Sequence, residues 1–425
     1  MLVDLSGKTV LLGVTGSIAA YKACDIARLF VKSRAQVHVI MTTAAERFVS
    51  ALTFEALTRN PVLTEDSESW SSELNHIDIG KKADIFLIAP ATANTINKLA
   101  KGIADNILLQ TALAYKKQIL IAPAANTQMI SSHYTDGSLK MLKVNDVRVI
   151  SSQEKLLACG DEGDGALSEP QEIYYQASQV LLEDSFWKDR KVVITGGGTR
   201  EKIDEVRYIS NYSSGKMAKA LAVALYFKGA DVCYISTMSH EDLPEEIYTI
   251  DVEDAEEMLE YTIDAVRVAK KGKMTKPSLN NPDAIGMIQK TPYLFMVAAV
   301  ADFTPTYPQS AKLKKSQLGD SWNIELKQTK DILKSVNKDG IITVGFKAEM
   351  DAQNGMKSAK SLIANKGVTA VCYNLLQDSQ SFGSDENEIT WITVDDTINF
   401  GKTDKLKLSF SIAKQSMKLD KGTDG

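Results

Sequence analysis

The stretch Lys8-Thr-Val-Leu-Leu-Gly-Val-Thr-Gly-Ser17 decides the fold class of the first half of the chain. It reads as a short β-branched and apolar strand that stops at a glycine turn, Gly16-Ser17. Apolar residues then recur at helical spacing from Ile18 to Val31, and Gln36–Met41 returns to strand character. Strand, tight turn, helix and strand make a βαβ unit, which implies a parallel sheet.

Further along, the same half repeats these elements. Apolar strands are predicted at Ile85–Ala89 and Gln118–Ala122, with a helical stretch from Asn94 to Tyr115 between them. Strands that are apolar throughout are typical of a sheet covered on both faces. The first half is therefore predicted to be a doubly wound α/β layer.

A second start of the same pattern appears near Asp189. Lys191–Thr195 reads as a strand, Met217–Phe227 as a helix and Asp231–Ser236 as another strand. A second α/β domain with a mostly parallel sheet is therefore expected, and the boundary is predicted between residues 185 and 186. Both domains, 1–185 and 186–425, are predicted to be Rossmann-like.

Composition and charge restrict the function. The chain has 425 residues, 44% hydrophobic and 24% charged, which suits a folded protein of more than one domain. A formal net charge of −5 gives no electrostatic reason to expect a nucleic-acid or membrane partner. Four cysteines without CxxC spacing argue against a disulfide framework or a zinc site and fit a reducing cytoplasm. No segment is long enough to span a bilayer, so a cytoplasmic protein is expected.

Each half opens with a glycine-rich turn that leads into a helix, where unpaired N–H groups could hold a phosphate. Neither turn is a dinucleotide fingerprint. The first, Gly13-Val-Thr-Gly16-Ser, lacks the GxGxxG spacing, and the second has Glu201 where the third glycine should be. The strands that follow end in Thr42-Thr43 and Ser236-Thr237, without the acidic residue that binds a ribose. Phosphate binding is favoured over NAD, and the alternative is that both are merely tight turns.

Lysine-rich and polar segments of the second half are predicted to be solvated. These are the loop at Lys270–Pro277, the loop at Gln309–Lys315 and a frayed tail from Lys414 to Gly425.

Several ordered motifs in residues 8–175 resemble the flavin-dependent cysteine decarboxylases, a family that includes phosphopantothenoylcysteine decarboxylases and lantibiotic-maturing enzymes. They are Gly16–Lys22, the segment at His76, Ala89–Thr95, Gly102–Asn106, Pro123–Met129 and Leu157–Gly160. Three positions depart from the family pattern: Ala125 in place of methionine, Ile130 in place of tryptophan and Ala166 in place of arginine.

The resemblance implies FMN and a set of residues around it. A flavin accepts a hydride from the CH₂–SH group of a C-terminal cysteine and so provides the electron sink that loss of CO₂ requires. His76 would assist the oxidation, Asn126 would grip the substrate carboxylate, and Cys159 would return a proton. The residues in FMN-binding positions are Gly16, Ser17, Thr42, Ala91, Thr92 and Asn94.

Residues 190–400 resemble phosphopantothenate–cysteine ligase, through Arg207–Met217 and Ala299–Phe303 in particular. The resemblance implies 4′-phosphopantothenate, L-cysteine and CTP as substrates, with Mg²⁺. Transfer of CMP makes the carboxylate a mixed anhydride that the cysteine amine attacks, and this step needs cations at the phosphates. Asn211 would stabilise the acyl-CMP, Lys312 would neutralise the α-phosphate, and Asp302 would bind the metal and nucleotide. The remaining nucleotide-binding positions are Met296, Val297, Ala298, Lys330, Asp331, Ile332, Leu333, Phe346, Lys360 and Lys366.

Three alternatives stay open from the sequence. One is a Rossmann oxidoreductase, which both glycine spacings oppose. Another is a regulatory subunit that binds a phosphatase, which intact His76 and Cys159 oppose. The third is an active ligase with a decarboxylase weakened by Ala125. The resemblance further implies a homo-oligomer, with trimers of the flavin domain and dimers of the ligase domain, while Lys271–Asn281 is longer than the family pattern.

Overall fold

The computed structural model describes residues 1–156, 160, 162–239, 241–275, 277–279, 286–314, 321–376 and 383–420. The chain forms two compact units. The first comprises Met1–Leu182 and Thr275–Gly286, and the second comprises Glu183–Met274 and Met287–Gly425. Among the described residues, no helix combines the length and the apolar character that a membrane span requires.

The first unit alternates strands and helices along the chain. Its strands are β1 (Thr9–Val14), β2 (Gln36–Met41), β3 (Val62–Leu63), β4 (Ile85–Ala91), β5 (Ile119–Pro123), β6 (Arg148–Val149), β7 (Gln153–Leu156) and β8 (Glu162–Ala166). Its helices are α1 (Ala20–Lys32), α2 (Thr43–Glu46), α3 (Ala51–Thr58), α4 (Asp78–Lys82), α5 (Ala93–Ala100), α6 (Ile107–Ala114), α7 (Thr127–Ile130), α8 (His133–Val144) and α9 (Pro170–Leu182).

Six of these strands form a parallel sheet in the order β3-β2-β1-β4-β5-β6, and β7 and β8 form a separate antiparallel hairpin. Consecutive residues of β1, Val10, Leu11 and Leu12, are all buried, as expected for a strand covered on both faces. The helix predicted from Asn94 to Tyr115 is in fact two helices, α5 and α6. Gly102 has a φ of 68°, which ends the first helix, and the Asn106 side chain caps the second.

The second unit has its own sheet. Its strands are β9 (Lys191–Gly196), β10 (Arg200–Lys202), β11 (Tyr208–Ser210), β12 (Asp231–Ser236), β13 (Tyr248–Asp251), β14 (Lys273–Met274), β15 (Met287–Ile288), β16 (Tyr293–Met296), β17 (Phe303–Pro305), β18 (Leu326–Gln328), β19 (Ile342–Glu349), β20 (Ala370–Leu375), β21 (Glu386–Ile392) and β22 (Thr397–Asp404). Its helices are α10 (Lys216–Phe227), α11 (Ala255–Ala269), α12 (Ile332–Ser335), α13 (Ala352–Lys366) and α14 (Lys405–Ser416), followed by a 3₁₀ turn at Met417–Leu419.

The main sheet of this unit has the order β13-β12-β9-β16-β19-β20-β21-β22. The first six strands in that order are parallel, and β21 and β22 are antiparallel. Helix α11 and helix α12 share a hydrophobic cluster that includes Met258 and Ile332, whereas α10 and α14 pack against each other. The predicted fold class, two doubly wound and mostly parallel α/β domains, is confirmed.

The prediction of a frayed tail from Lys414 is wrong up to Asp420. Helix α14 continues to Ser416, whose carbonyl oxygen accepts a hydrogen bond from the buried Tyr293 hydroxyl at 2.8 Å. Asp420 forms an ion pair with the buried guanidinium of Arg190 at 2.7 Å. The segment was misread because its sequence is polar, whereas its order comes from these long-range contacts with Tyr293 and Arg190.

The lysine loop at Lys270–Pro277 is also less solvated than predicted. Lys273 lies in β14 and forms an ion pair with Asp189 at 2.6 Å, and the Lys270 ammonium donates to the Asn337 carbonyl oxygen at 3.0 Å. The Leu279 N–H donates to the Val144 carbonyl oxygen at 2.9 Å, within the first unit.

Candidate active sites

In the first unit, the strand order reverses between β1 and β4, and a parallel sheet opens a ligand crevice at such a point. Thr15 joins the two strand ends. Its hydroxyl donates to the Pro90 carbonyl oxygen at 2.6 Å and accepts from the Thr92 N–H at 3.0 Å. The predicted FMN-binding residues all follow or end strands at this edge: Gly16 and Ser17 after β1, Thr42 after β2, Ala91 and Thr92 at the end of β4, and Asn94 in the first turn of α5.

Gly16 lets two loops approach closely. A Cβ atom at this position would lie 2.5 Å from the Ala44 Cβ and 3.0 Å from its carbonyl carbon, so a side chain is excluded. Helix α1 begins just beyond, without a side-chain cap and without an acidic residue in its first turn. Its N-terminal N–H groups therefore suit an anion such as a phosphate.

Some polar side chains near Gly16 cap helices, and another is exposed to solvent. Thr42 and Thr92 cap helices α2 and α5, accepting from the Ala45 and Thr95 N–H groups, both at 3.3 Å. Asn94 is exposed and has no hydrogen-bond partner in the part of the chain that the structure describes. An exposed amide at the crevice can hydrogen-bond a flavin ring.

The loop after β5 carries Asn126 and lies under the hairpin of β7 and β8. The Asn126 side chain caps α7 by accepting from the Gln128 N–H at 2.9 Å. The Ala125 N–H donates to the Gly165 carbonyl oxygen at 3.0 Å, and a side chain at Gly165 would overlap the Ala125 oxygen. Cys159 belongs to the connection between β7 and β8 and lies outside the described residues. Strand β8, which follows that connection, thus packs against the loop that carries Asn126.

His76 lies in the loop before α4 rather than at a strand end. Its Nδ1 atom is 2.6 Å from the Glu68 carboxylate, and the two side chains are 22% and 26% exposed. The hydrogen bond with His76 lowers the pKa of Glu68, and the Trp70 ring meets the imidazole edge-on at 5.6 Å. Sequence reasoning missed Glu68, an acid in a polar stretch without a motif. Among the described residues, the polar and ring contacts of His76 go to Glu68 and Trp70, and none reaches Asn126.

In the second unit, a cleft of about 800 Å³ lies at the carboxyl ends of β9, β16 and β19. The strand order reverses between β9 and β16, so this is again the switch point of the sheet. Most of the predicted nucleotide-binding residues line this cleft together with Asn211: Met296, Val297, Ala298, Asp302, Lys330, Asp331, Ile332, Leu333, Phe346 and Lys366.

The glycines after β9 are needed by the packing of the loop itself. Gly197 has a φ of 82°, and a side chain there would overlap the Thr237 hydroxyl. The Gly197 carbonyl oxygen accepts from the Ala299 N–H at 2.8 Å, and the Thr199 hydroxyl accepts from the Ala301 N–H at 2.9 Å. The turn therefore fixes the loop before Asp302, which forms the floor of the cleft.

Two carboxylates of the cleft differ in their surroundings. Asp302 is exposed and its carboxylate has no partner among the described residues. Asp331 caps α12 by accepting from the Lys334 N–H at 3.1 Å and forms an ion pair with Lys366 at 3.0 Å. Burial raises the pKa of Asp331, but Lys366 and the Lys334 N–H outweigh it, so the pKa lies below its ordinary value. Asp302 is thus the carboxylate that is available to a cation.

Asn211 lies on the loop that leads into α10. Its side-chain amide donates to the Val300 carbonyl oxygen at 2.9 Å, which holds it beside the floor of the cleft. Helix α10 begins after Gly215, which has a φ of 65° and gives no side-chain cap.

Lys312 and Lys360 are not among the cleft-lining residues. Lys312 is exposed, and its neighbour Leu313 donates its N–H to Asp204 at 3.2 Å and accepts from Arg207 at 3.0 Å. Arg207 holds the pKa of Asp204 well below its usual range.

Lys360 lines a separate groove, whereas Leu362 faces the cleft one turn before Lys366. In the part of the chain that the structure describes, Lys360 thus lines this groove and not the cleft. Other residues that line the cleft were given no role from the sequence, among them Lys216, Asn374, Asn387 and Lys405.

Comparison with known proteins agrees with both halves of this description. Residues 2–181 match the family model described as Flavoprotein. Residues 187–274 and 283–419 match the model of the DNA/pantothenate metabolism flavoprotein C-terminal domain. The second match passes over residues 275–282, which overlap the long segment Lys271–Asn281 noted in the sequence.

Relatives match over nearly the whole chain. The coenzyme A biosynthesis bifunctional protein CoaBC of Bacillus subtilis is 38% identical over 426 residues, 99% of both chains. Its counterpart in Haemophilus influenzae is 36% identical over 389 residues, 91% of both chains. Among solved structures, the FMN-binding protein AtHal3 is 34% identical, with a TM-score of 0.36, and covers 40% of this chain and 94% of its own.

The two units and their strand-end sites thus define a flavoprotein domain joined to a pantothenate-metabolism domain. More particularly, the chain belongs to the family of CoaBC bifunctional proteins of coenzyme A biosynthesis. It is a bifunctional decarboxylase and ligase, and the family predicted from the sequence is confirmed.

Proposed function

We propose that the second unit joins cysteine to 4′-phosphopantothenate at the expense of CTP, and that the first unit decarboxylates the product with FMN. The observation that carries the proposal is the cleft at the β9/β16 switch point. It gathers Asn211, Asp302, Asp331 and Lys366 around a volume of about 800 Å³. A cleft of this size suits a nucleotide together with a second small substrate.

The ligase step requires a leaving group on the substrate carboxylate. Attack of that carboxylate on the α-phosphate of CTP forms an acyl-CMP and releases pyrophosphate; the cysteine amine then displaces CMP. We propose that Lys312 neutralises charge on the α-phosphate, although it does not line the cleft among the described residues. Asn211, which lines the cleft, would hydrogen-bond the acyl-CMP. The remaining nucleotide contacts are proposed at α12, from Lys330, Ile332 and Leu333. Lys360, which lies outside the cleft, is kept as a weaker candidate.

Mg²⁺ fits this site through Asp302. The described residues contain no group of three or more His, Cys, Asp or Glu side chains that could hold a metal. A single exposed carboxylate suits Mg²⁺ that takes its other ligands from phosphates and water. The ion would supply positive charge where pyrophosphate leaves.

FMN fits the crevice of the first unit through the close approach at Gly16 and the uncapped start of α1. We propose that Gly16 and Ser17 hold the phosphate, while Thr42, Ala91, Thr92 and Asn94 border the rest of the flavin. When bound, FMN supplies the hydride acceptor for oxidation of the substrate thiol.

Three residues would handle the substrate of the decarboxylase. Glu68 accepts from the Nδ1–H of His76 in the neutral tautomer and so leaves Nε2 as a base. Asn126 would bind the substrate carboxylate, and Cys159 would return a proton to the product. The departures at Ala125, Ile130 and Ala166 flank Asn126 or belong to the hairpin over it, so they bear on substrate fit.

We place the boundary between the two activities at residues 185 and 186, supported by family matches that end at 181 and resume at 187. We further propose a cytoplasmic homo-oligomer, with trimers of the flavin unit and dimers of the ligase unit.

The identity of the nucleotide can be tested directly. The full chain is incubated with 4′-phosphopantothenate, Mg²⁺ and each of the four nucleoside triphosphates in turn, without cysteine. We expect pyrophosphate release with CTP. Release with ATP but not with CTP would overturn the choice of nucleotide.

A further inference from the structure

Two lysines line a wall of the ligase cleft that the nucleotide residues do not use. Lys216 is the first residue of α10 and Lys405 is the first residue of α14, and these two helices pack against each other. Both side chains line the cleft, and Lys405 is only 6% exposed. A lysine is rarely buried to this degree without an anionic partner.

Among the described residues, these two lysines share one carboxylate, that of Asp385. The Lys405 ammonium donates to the Ser384 carbonyl oxygen, and the Lys216 ammonium donates to the Gly383 carbonyl oxygen at 2.9 Å. Lys216 also forms an ion pair with Asp385 at 2.7 Å, and the side chain of that aspartate is 83% exposed. Burial and the neighbouring Lys216 lower the pKa of Lys405 by more than Asp385 raises it. This wall therefore has more positive than negative charge, which an incoming anion would balance.

The start of α10 adds to the same preference. The helix has no side-chain cap and no acidic residue in its first turn, and Ser213 and Ser214 line the cleft beside it. Unpaired N–H groups at a helix N-terminus favour an anion, and serine hydroxyls can donate to phosphate oxygens.

Two of the other lysines that line the cleft lie on a different wall. Lys334 and Lys366 belong to α12 and α13, and Leu333 packs in the clusters of both α11 and α13. The proposed nucleotide residues lie on this wall and on the ends of β16 and β19. The ligase reaction takes two phosphorylated substrates, so one cationic wall is left for the second.

We propose that Lys216 and Lys405, with the start of α10, bind the phosphate monoester of the pantothenate substrate. The inference rests on the proposed ligase function and deepens it, because it assigns the recognition of the phosphorylated over the unphosphorylated substrate. The dianionic phosphate would contact two ammonium groups, whereas pantothenate has an uncharged hydroxyl group at that position.

The test compares Lys405→Met and Lys216→Met with the wild-type full chain. Lys407→Met is the matched control, since Lys407 is exposed on the same helix and does not line the cleft. Pyrophosphate release at saturating CTP gives kcat/KM for 4′-phosphopantothenate and for pantothenate. We expect the ratio of the two to fall on the order of tenfold to a hundredfold in both test variants and to stay unchanged in the control. The KM for CTP should change little.

An unchanged ratio of the two kcat/KM values in Lys405→Met and Lys216→Met would overturn the assignment. If the KM for CTP rose while that ratio stayed the same, the lysines would belong to the nucleotide site instead. If Lys405→Met does not fold, Lys216→Met decides, because its ammonium is partly exposed. Wild-type protein that releases no pyrophosphate would instead contradict the proposed function. In that case the affinities for 4′-phosphopantothenate and pantothenate are measured by calorimetry. Equal affinities in the wild type would overturn the inference. A wild-type preference for 4′-phosphopantothenate that is lost in Lys405→Met would support it.

Discussion

Gly16→Ala is expected to remove the flavin from the first unit. The added Cβ would lie 2.5 Å from the Ala44 Cβ and 3.0 to 3.1 Å from its carbonyl carbon and oxygen. Two of those neighbours are backbone atoms at the start of α2, so the loop must shift rather than one side chain. Overpacking of this kind costs about 1–3 kcal/mol, which corresponds to roughly a fivefold to hundredfold weaker FMN affinity if the shift opposes binding.

The assay is the flavin absorbance per chain of the purified protein, followed by titration of the apoprotein with FMN. Gly137→Ala is the matched control, because Gly137 lies within helix α8 and its Cβ would meet nothing within 4 Å. That exchange should leave flavin binding unchanged and stabilise the protein by about 0.5–1 kcal/mol. Full flavin content and wild-type affinity in Gly16→Ala would refute the argument that this close approach shapes the FMN site.

Three further predictions concern the chemistry of the two sites and the stability of the cleft. Lys312→Gln should reduce pyrophosphate release without cysteine by on the order of a hundredfold, whereas Asn211→Asp should reduce amide formation far more than pyrophosphate release. Equal pyrophosphate release by Lys312→Gln and wild type would remove Lys312 from the mechanism. Cys159→Ser should still release CO₂ but accumulate the oxidised, decarboxylated intermediate, since a hydroxyl is a far poorer acid than a thiol; normal yield of the thiol product would contradict this. Asp331→Asn should keep the cap of α12 but lose the ion pair with Lys366, lowering stability at pH 7 by about 0.2–1 kcal/mol. Because the folded-state pKa of Asp331 is lowered, this difference in urea midpoint should be present above pH 3.8 and disappear as the pH falls through the folded pKa. A gap that persists at lower pH would contradict the ion-pair explanation.

The fold was predictable because parallel strands leave a strong pattern. Val10 to Leu12 and Val192 to Ile194 are apolar runs that can be buried only in a sheet covered on both faces. The helix break at Gly102 was missed because apolar residues continue on both sides of it, so periodicity alone cannot reveal a local left-handed turn. The docked C-terminal helix was missed because the Arg190–Asp420 ion pair joins residues 230 positions apart.

The candidate sites were predictable where residues follow strand ends. Gly16, Thr92, Asn126 and Asp302 each come directly after or close to a strand, and such positions meet at one edge of a parallel sheet. Lys405 could not be found in this way, because it starts a helix near the C-terminus and reaches the cleft only through helix packing.

Lys360 illustrates the limit of spacing within a helix. It lies six residues before Lys366, and this offset turns it away from the cleft, whereas Leu362, four residues before Lys366, faces inward.

The coupling of the two reactions is tested most directly by following the carboxyl carbon of cysteine to CO₂. The full chain is given 4′-phosphopantothenate, CTP, Mg²⁺ and cysteine labelled in its carboxyl carbon, and labelled CO₂ is compared with CMP and pyrophosphate. We expect labelled CO₂ only when both CTP and 4′-phosphopantothenate are present, with CMP and pyrophosphate formed in at least equal amounts. Labelled CO₂ without CTP, or CMP and pyrophosphate without any labelled CO₂ from a flavin-loaded protein, would contradict it.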